Sequence, residues 1–275
     1  MQEQFTRMAL LVGEEKIEKL KEKKVAIFGL GGVGSYVAEG LIRAGIGNFI
    51  LVDHDTVDIS NINRQLIATM DTIGRYKVDV AKERMLSINP EANIETYQSF
   101  YLPESKEIRI DKSIDYIVDA IDTVTAKIGL IEKAKEVGIP ILSSMGTGNK
   151  LDPTKFEITD ISKTSICPLA KTIRKELRRR DIKDVKVLYS KAETIPLRQI
   201  DNKEGKKTPG SVSFVPAIAG LMIAGEVVKD LLGEVSMCND DENDNRFYEP
   251  IGRFPEIEED EKPYRLLCTE YPKAK

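Results

Sequence analysis

The sequence is short of the residues that usually carry sulfur, imidazole or membrane chemistry. It holds three cysteines and one histidine. Cys167, Cys238 and Cys268 form no CxxC pair, which argues against a disulfide framework and a Cys-rich zinc site. His54 has no histidine or cysteine near it in sequence, so it reads as an exposed loop residue rather than an acid–base group or a ligand. Aromatics make up 6% of the chain, and no stacking platform for bases is visible. The longest apolar stretch, around Phe214–Gly225, is too short to span a bilayer. Met1–Arg7 is polar and no long apolar run follows, unlike a signal peptide. The expectation is a soluble, cytoplasmic protein with no membrane partner.

What is present suffices for a large core. The chain has 275 residues, 41% of them hydrophobic, enough for one core with appendages. The net charge of −4 does not describe a basic nucleic-acid binder overall, but the charge is uneven. Lys163–Lys207 carries 14 lysines and arginines against 6 acids, and Asn239–Pro263 carries 3 against 10. Such asymmetry separates a polyanion-facing surface from a solvating tail.

The apolar pattern predicts an α/β fold: a Rossmann-like, mostly parallel sheet flanked by helices, with a smaller crossover or antiparallel C-terminal portion. Strands are expected at 24–28, 49–52, 94–98, 116–120 and 139–143, with helices at 13–23, 33–44, 75–89 and 124–137 between them. Further on, strands are expected at 155–161 and 185–190. A helix over 168–180 opens on Pro168. Ile200–Gly210 reads as a mobile loop. Phe214–Leu232 reads as a strongly apolar helix, packed on the sheet or on a second subunit. Residues 1–233 form one domain, with a basic crossover region at about 151–210. Residues 234–275 form an acidic extension.

The most informative stretch runs from Val25 to Gln65. A β-branched strand ends in Gly29-Leu30-Gly31-Gly32-Val33-Gly34, a helix follows, and a second strand ends in Asp53. Gly29 permits the tight turn, Gly31 lets backbone approach a phosphate or ribose, and Gly34 lets the helix pack close to the strand. The free N–H groups at that helix start favour an anion, and Asp53 is placed to accept from ribose hydroxyls. This much suits a nicotinamide-dependent oxidoreductase as well as an ATP enzyme.

The polar loop after Asp53 argues against the oxidoreductase. Arg64 stands among Asn61, Asn63 and Gln65, and a guanidinium matches phosphate oxygens in a two-pronged way. Lys77 follows near a helix start, within reach of β- and γ-phosphates. Asp122 lies just past a strand end, where open α/β sheets bind ligands, and one carboxylate facing a triphosphate is a usual Mg²⁺ holder. Singly, each of Arg64, Lys77 and Asp122 reads equally well as a solvated charge. Together they suit nucleotidyl transfer.

GLGGVGS (Gly29–Ser35), DHDTVDISNINRQ (Asp53–Gln65), GRYK (Gly74–Lys77) and DAID (Asp119–Asp122) closely resemble the ThiF/MoeB/ubiquitin-activating-enzyme superfamily, whose members adenylate carboxylates with ATP. The resemblance assigns ATP binding to Gly29, Gly31, Gly32, Asp53, Asp55, Asn61, Arg64, Gln65, Lys77 and Asp122. It puts Mg²⁺ on Asp122. Arg7, in FTRMALLVG, matches an arginine that reaches the partner subunit's ATP. That implies a homodimer with Arg7, Arg64, Lys77 and Asp122 as the catalytic set. Met145–Arg180 and Gly210–Gly220 look like the tRNA threonylcarbamoyladenosine dehydratase branch. That branch implies a modified tRNA as substrate and a cysteine desulfurase or sulfur-acceptor system as a further partner. Lys171, Arg174, Lys175, Arg178, Arg179 and Arg180, crowded on one helix, are the candidate tRNA contacts, unless they are only a solvated face. An activator of a small sulfur-carrier protein is the alternative. The absence of the paired CxxC zinc site common in carrier activators, and the basic helix, count against it. Cys167, just before Pro168, reads as a helix cap rather than a nucleophile.

Overall fold

The computed structural model describes residues 2–105, 107–197 and 209–233. The predicted loop at 200–210 therefore lies outside the described residues except for its last two positions, as do the acidic extension, Cys238 and Cys268. Seven strands form one sheet: β1 (Lys24–Phe28), β2 (Asn48–Val52), β3 (Asn93–Tyr97), β4 (Tyr116–Asp119), β5 (Ile141–Ser144), β6 (Phe156–Asp160) and β7 (Lys186–Ser190). Their order is β3-β2-β1-β4-β5-β7-β6. Every pairing is parallel except β6 with β7, so the expected antiparallel portion extends the main sheet as its edge.

Strand β1 shows why the sheet is wound on both faces. Its run KVAIF is buried after Lys24, and successive side chains of a strand point to opposite faces. Val25 and Ile27 enter one core with Val37 and Leu41 of helix α3 (Gly34–Arg43), Val78 and Met85 of α4 (Lys77–Ile88), and Val215 and Ile223 of α7 (Phe214–Leu232). Ala26 and Phe28 enter the other, with Leu130 and Ile131 of α5 (Val124–Val137) and Ile173 and Leu177 of α6 (Pro168–Arg179). A strand buried on both faces has no room for alternation, which is why its apolar run is continuous.

Helix α7 packs on α3. A Cβ on Gly220 would lie 2.5 Å from the Val33 carbonyl oxygen, and one on Gly40 would lie 2.6 Å from Ala224 Cβ. The other end of α7 is tied to the sheet. Tyr116 Oη donates to Asp230 Oδ2 (2.6 Å), and Lys186 Nζ lies 2.7 Å from Asp230 Oδ1 and 3.0 Å from Glu226 Oε1. Two N-terminal helices, α1 (Thr6–Val12) and α2 (Glu14–Glu22), precede the sheet. The sequence pattern foresaw α2 but not α1. Seven residues with Leu10 and Leu11 exposed make no recognisable amphipathic repeat.

Candidate active site

The chain leaves β1 toward β2 and β3 and later returns to β4 on the other side of β1. Open sheets bind ligands outside the carboxyl ends of the strands at such a switch point. A cleft of about 690 Å³ lies there. Its walls come chiefly from the segments that follow β2, β1, β4 and β5, four neighbours in the sheet, with Ser99–Tyr101 after β3, Thr194 after β7 and Pro209–Ser211 closing the sides. All ten predicted nucleotide residues line it: Gly29, Gly31 and Gly32; Asp53 and Asp55; Asn61, Arg64 and Gln65; Lys77; and Asp122.

The glycines have separate jobs. Gly29 sits at φ +90°, and a Cβ there would come within 2.7 Å of the Ala120 carbonyl oxygen. Its N–H donates to Val52 O at 2.8 Å, so the turn is bound across from the end of β2. A Cβ on Gly34 would lie 1.8 Å from Gly29 O, so helix α3 starts directly against the turn and presents its N-terminal end to the cleft. Asp53 is buried and accepts on both oxygens, from Leu30 N at 2.6 Å and Asp55 N at 2.9 Å. A carboxylate offers about four lone-pair sites, so Asp53 braces the glycine turn and retains capacity for ribose hydroxyls.

The loop after β2 is built by its own polar residues. Asn61 Oδ1 accepts from Asp58 N (3.1 Å), and Asp58 Oδ1 accepts from Ser60 N (2.8 Å), a reciprocal cap that fixes one turn of 3₁₀ helix over Ile59–Asn61. Arg64 Nη1 donates to Ser60 O at 2.8 Å and to Asn63 Oδ1 at 3.0 Å. One edge of the guanidinium is thus anchored. Lys77, the first residue of α4, is nearly buried, and its Nζ lies 2.7 Å from Asp55 Oδ2. Its backbone N–H donates to Asp55 O at 3.0 Å. Gln65 Oε1 is buried with no hydrogen-bond donor among the described residues. Leaving such an acceptor unmet costs about 1–3 kcal/mol, and a donor on a bound ligand would remove that cost.

Asp122 is exposed, accepts only from Thr123 Oγ1 at 3.3 Å, and makes no ion pair among the described residues. An open carboxylate on the cleft wall fits the donor chemistry of Mg²⁺. The three-ligand cluster of Asp53, His54 and Asp55 is less open. Backbone N–H groups occupy Asp53, while Lys77 and His54 (Nε2 3.1 Å from Oδ1) occupy Asp55. His54 is exposed, as expected, with its ring edge-on to Phe100.

The segment carrying Asp122 rests on a pair that sequence reasoning passed over. Lys127 Nζ lies 2.8 Å from Asp119 Oδ2, both side chains fully buried. Ser143 donates to the same oxygen, and Ile121 N donates to Asp119 Oδ1 at 3.1 Å. The signal was a lysine inside the apolar run Ala126–Ile131.

The far wall, after β5, was not foreseen either. Residues 145–150, Cys167, Pro168, Leu169 and Thr194 line it. Lys150 is buried and donates to Ala192 O. Burial pushes its ammonium below the usual lysine range, and Cys167 acts weakly the other way. Cys167 is the N-cap residue of α6, but its side chain makes no capping hydrogen bond. It is buried in the cleft wall instead.

Two other groups lie apart. Arg7 is exposed on α1 and does not line its own chain's cleft. The basic helix α6 divides in two. Arg174 donates to Thr164 O (2.7 Å) and to its hydroxyl, Arg179 pairs with Glu176 (2.6 Å), and Arg180 pairs with Glu132 (2.7 Å) and Glu176 (2.9 Å). Lys171, Lys175 and Arg178 are exposed at helical spacing, with no ion pair among the described residues. Among the described residues no helix is long and apolar enough to cross a membrane.

The sequence pattern of the ThiF family matches residues 5–262. The tRNA threonylcarbamoyladenosine dehydratase of Bacillus subtilis (strain 168) is 44% identical over 248 residues, covering 86% of this chain and 98% of that protein. The Escherichia coli (strain K12) protein of the same name is 36% identical over 176 residues, 64% of this chain and 66% of that one. The crystal structure of E. coli tRNA N6-threonylcarbamoyladenosine dehydratase, TcdA, in complex with ATP superposes with a TM-score of 0.74 at 30% identity. The match covers 83% of this chain and 93% of that one.

Proposed function

The chain belongs to the ThiF family, and on that footing we propose that it is an ATP-dependent tRNA threonylcarbamoyladenosine dehydratase. The observation that carries the reading is the cleft. A glycine turn, a buried aspartate, an arginine, a lysine and an open carboxylate line one cleft, in a chain similar over most of its length to a dehydratase of that name.

The reaction has two halves. The threonyl carboxylate of the modified adenosine is a poor electrophile because its oxygen is a poor leaving group. One carboxylate oxygen attacks the α-phosphorus of ATP, and the bond to pyrophosphate breaks. Arg64 and Lys77, both on the cleft lining, would stabilise the negative charge that develops on the phosphates. Mg²⁺ held by Asp122 would neutralise part of the same charge. The ureido group of the same side chain then attacks the activated carbonyl. A ring closes, AMP departs, and the net change is loss of water. Both reacting groups sit on one side chain, so holding it in a closed shape supplies much of the rate. Arg7 is exposed on α1 and outside its own cleft; in this proposal the protein is a homodimer and Arg7 would serve the second protomer. Lys171, Lys175 and Arg178 would contact the tRNA backbone.

ATP–pyrophosphate exchange tests the reading. Exchange should depend on tRNA carrying the modified adenosine. Exchange with a diglycine-tailed carrier protein alone would instead make the chain a carrier activator. In a deletion strain with no second copy, digested tRNA should lose the cyclised nucleoside in mass spectra. Its persistence at normal levels would overturn the proposal.

A further inference from the structure

We propose that Lys150 and the N-terminal end of α6 form the subsite that receives the acceptor's carboxylate. This rests on the adenylation reading above and assigns its acceptor side, for which the nucleotide residues give no holder.

The position is the first argument. The nucleotide residues stand after β2, β1 and β4, and in the rest of the cleft lining the wall after β5 is the part that carries a lysine. Lys150 lines that wall at 4% exposure. Its Nζ donates to the Ala192 carbonyl, and among the described residues no carboxylate pairs with it. None of the residues lining this wall is acidic. A buried ammonium without a counter-anion is unfavourable, and an incoming carboxylate supplies the missing charge. Leu169, in the first turn of the twelve-residue helix α6, also lines the wall. The positive end of that helix dipole therefore acts in the same direction.

The backbone is the second argument. Two non-glycine residues with left-handed φ, Asn149 (58°) and Ile166 (57°), immediately precede Lys150 and Cys167. Such a conformation is uncommon for a β-branched residue and persists where the surroundings over-determine it. At Asn149 they do. Its Oδ1 accepts from Gly210 N (2.7 Å), its N–H donates to Gly210 O (2.8 Å), and its carbonyl accepts from Ile195 N (2.8 Å). Three hydrogen bonds thus fix the backbone at the step that sets Lys150 into the cleft wall.

The test is binding, read without turnover. In the absence of ATP, the affinity of the protein is measured for one tRNA in two forms, with and without the carboxylate-bearing adenosine. The wild type should prefer the carboxylate form about tenfold or more, the scale of a charge-assisted contact. Lys150→Gln keeps a donor for Ala192 O without the charge, and Lys150→Met keeps the apolar stem. Both should bring the preference to within about twofold, leaving affinity for the unmodified tRNA and for ATP unchanged. Lys150→Arg should restore part of it. A purely structural lysine would weaken both tRNAs alike, and that result would overturn the proposal. So would either folded, uncharged variant that keeps the wild-type preference. A wild type with no preference would overturn the substrate reading itself, and this subsite with it.

Discussion

Lys77 Nζ is held 2.7 Å from Asp55 Oδ2, while Lys77 N donates to Asp55 O at 3.0 Å. Asp55 thus fixes both the start of α4 and the direction of its first side chain. The lysine is nearly buried and the aspartate is half exposed. On the proposed reading an arriving triphosphate would meet an ammonium already positioned, and Asp55 would act by holding it.

Lys77→Ala and Arg64→Ala should each lower ATP–pyrophosphate exchange by about a hundredfold or more, the usual cost of removing one group that stabilises transition-state charge. Circular dichroism should show the fold unchanged. Asp55→Ala, which loosens Lys77 without removing it, should cost about tenfold or less and appear mainly in the KM for ATP. Equal losses for Asp55→Ala and Lys77→Ala would mean that Asp55 touches the reacting groups itself.

Asp122→Ala should abolish turnover in a folded protein, while Asp122→Asn should raise the Mg²⁺ concentration needed for half-maximal exchange. Chelation with EDTA should stop exchange, and added Mg²⁺ should restore it. An active, folded Asp122→Ala would remove the metal role.

Breaking a buried ion pair from one side leaves a bare charge. Lys127→Met should therefore cost about 3–5 kcal/mol in urea unfolding. Replacing both partners, Asp119→Asn with Lys127→Met, should recover part of that loss. Exchange activity should stay low in both, because the segment leading to Asp122 loses its brace. A double variant less stable than Lys127→Met alone would contradict this account.

Lys171, Lys175 and Arg178 of α6, which make no ion pair among the described residues, should govern the salt dependence of tRNA binding. Replacing Lys171, Lys175 and Arg178 with alanine should reduce the slope of log affinity against log salt by about 2–3, near one per lost phosphate contact. Arg174→Ala should act on stability instead, since its guanidinium is spent on Thr164. An unchanged slope in the triple variant would move the tRNA surface elsewhere.

The parts of the site legible in the sequence were those whose chemistry is local. The glycine turn and Asp53 belong to one strand–turn–helix–strand unit, Asp122 follows β4 within a short loop, and Arg64 and Lys77 belong to the polar stretch between β2 and the start of α4. Strand positions were legible because buried parallel strands are continuously apolar, although β4 ends at Asp119 and α4 starts at Lys77, one to two residues inside the expected bounds. Lys127 and Lys150 were not legible. Each looks like an ordinary charge until Asp119 or the cleft wall folds over it. The short helix α1 was hidden because its seven residues, with Leu10 and Leu11 exposed, carry no recognisable apolar repeat.

The 1.8 Å approach of a would-be Cβ on Gly34 to Gly29 O bears on kinetics as well as on fit. Turn and helix meet with no spare volume, and the end of the cleft they form has little freedom to open or close as ATP enters. The temporal order of the reaction would be set by the arrival and seating of the tRNA, with the nucleotide end ready beforehand.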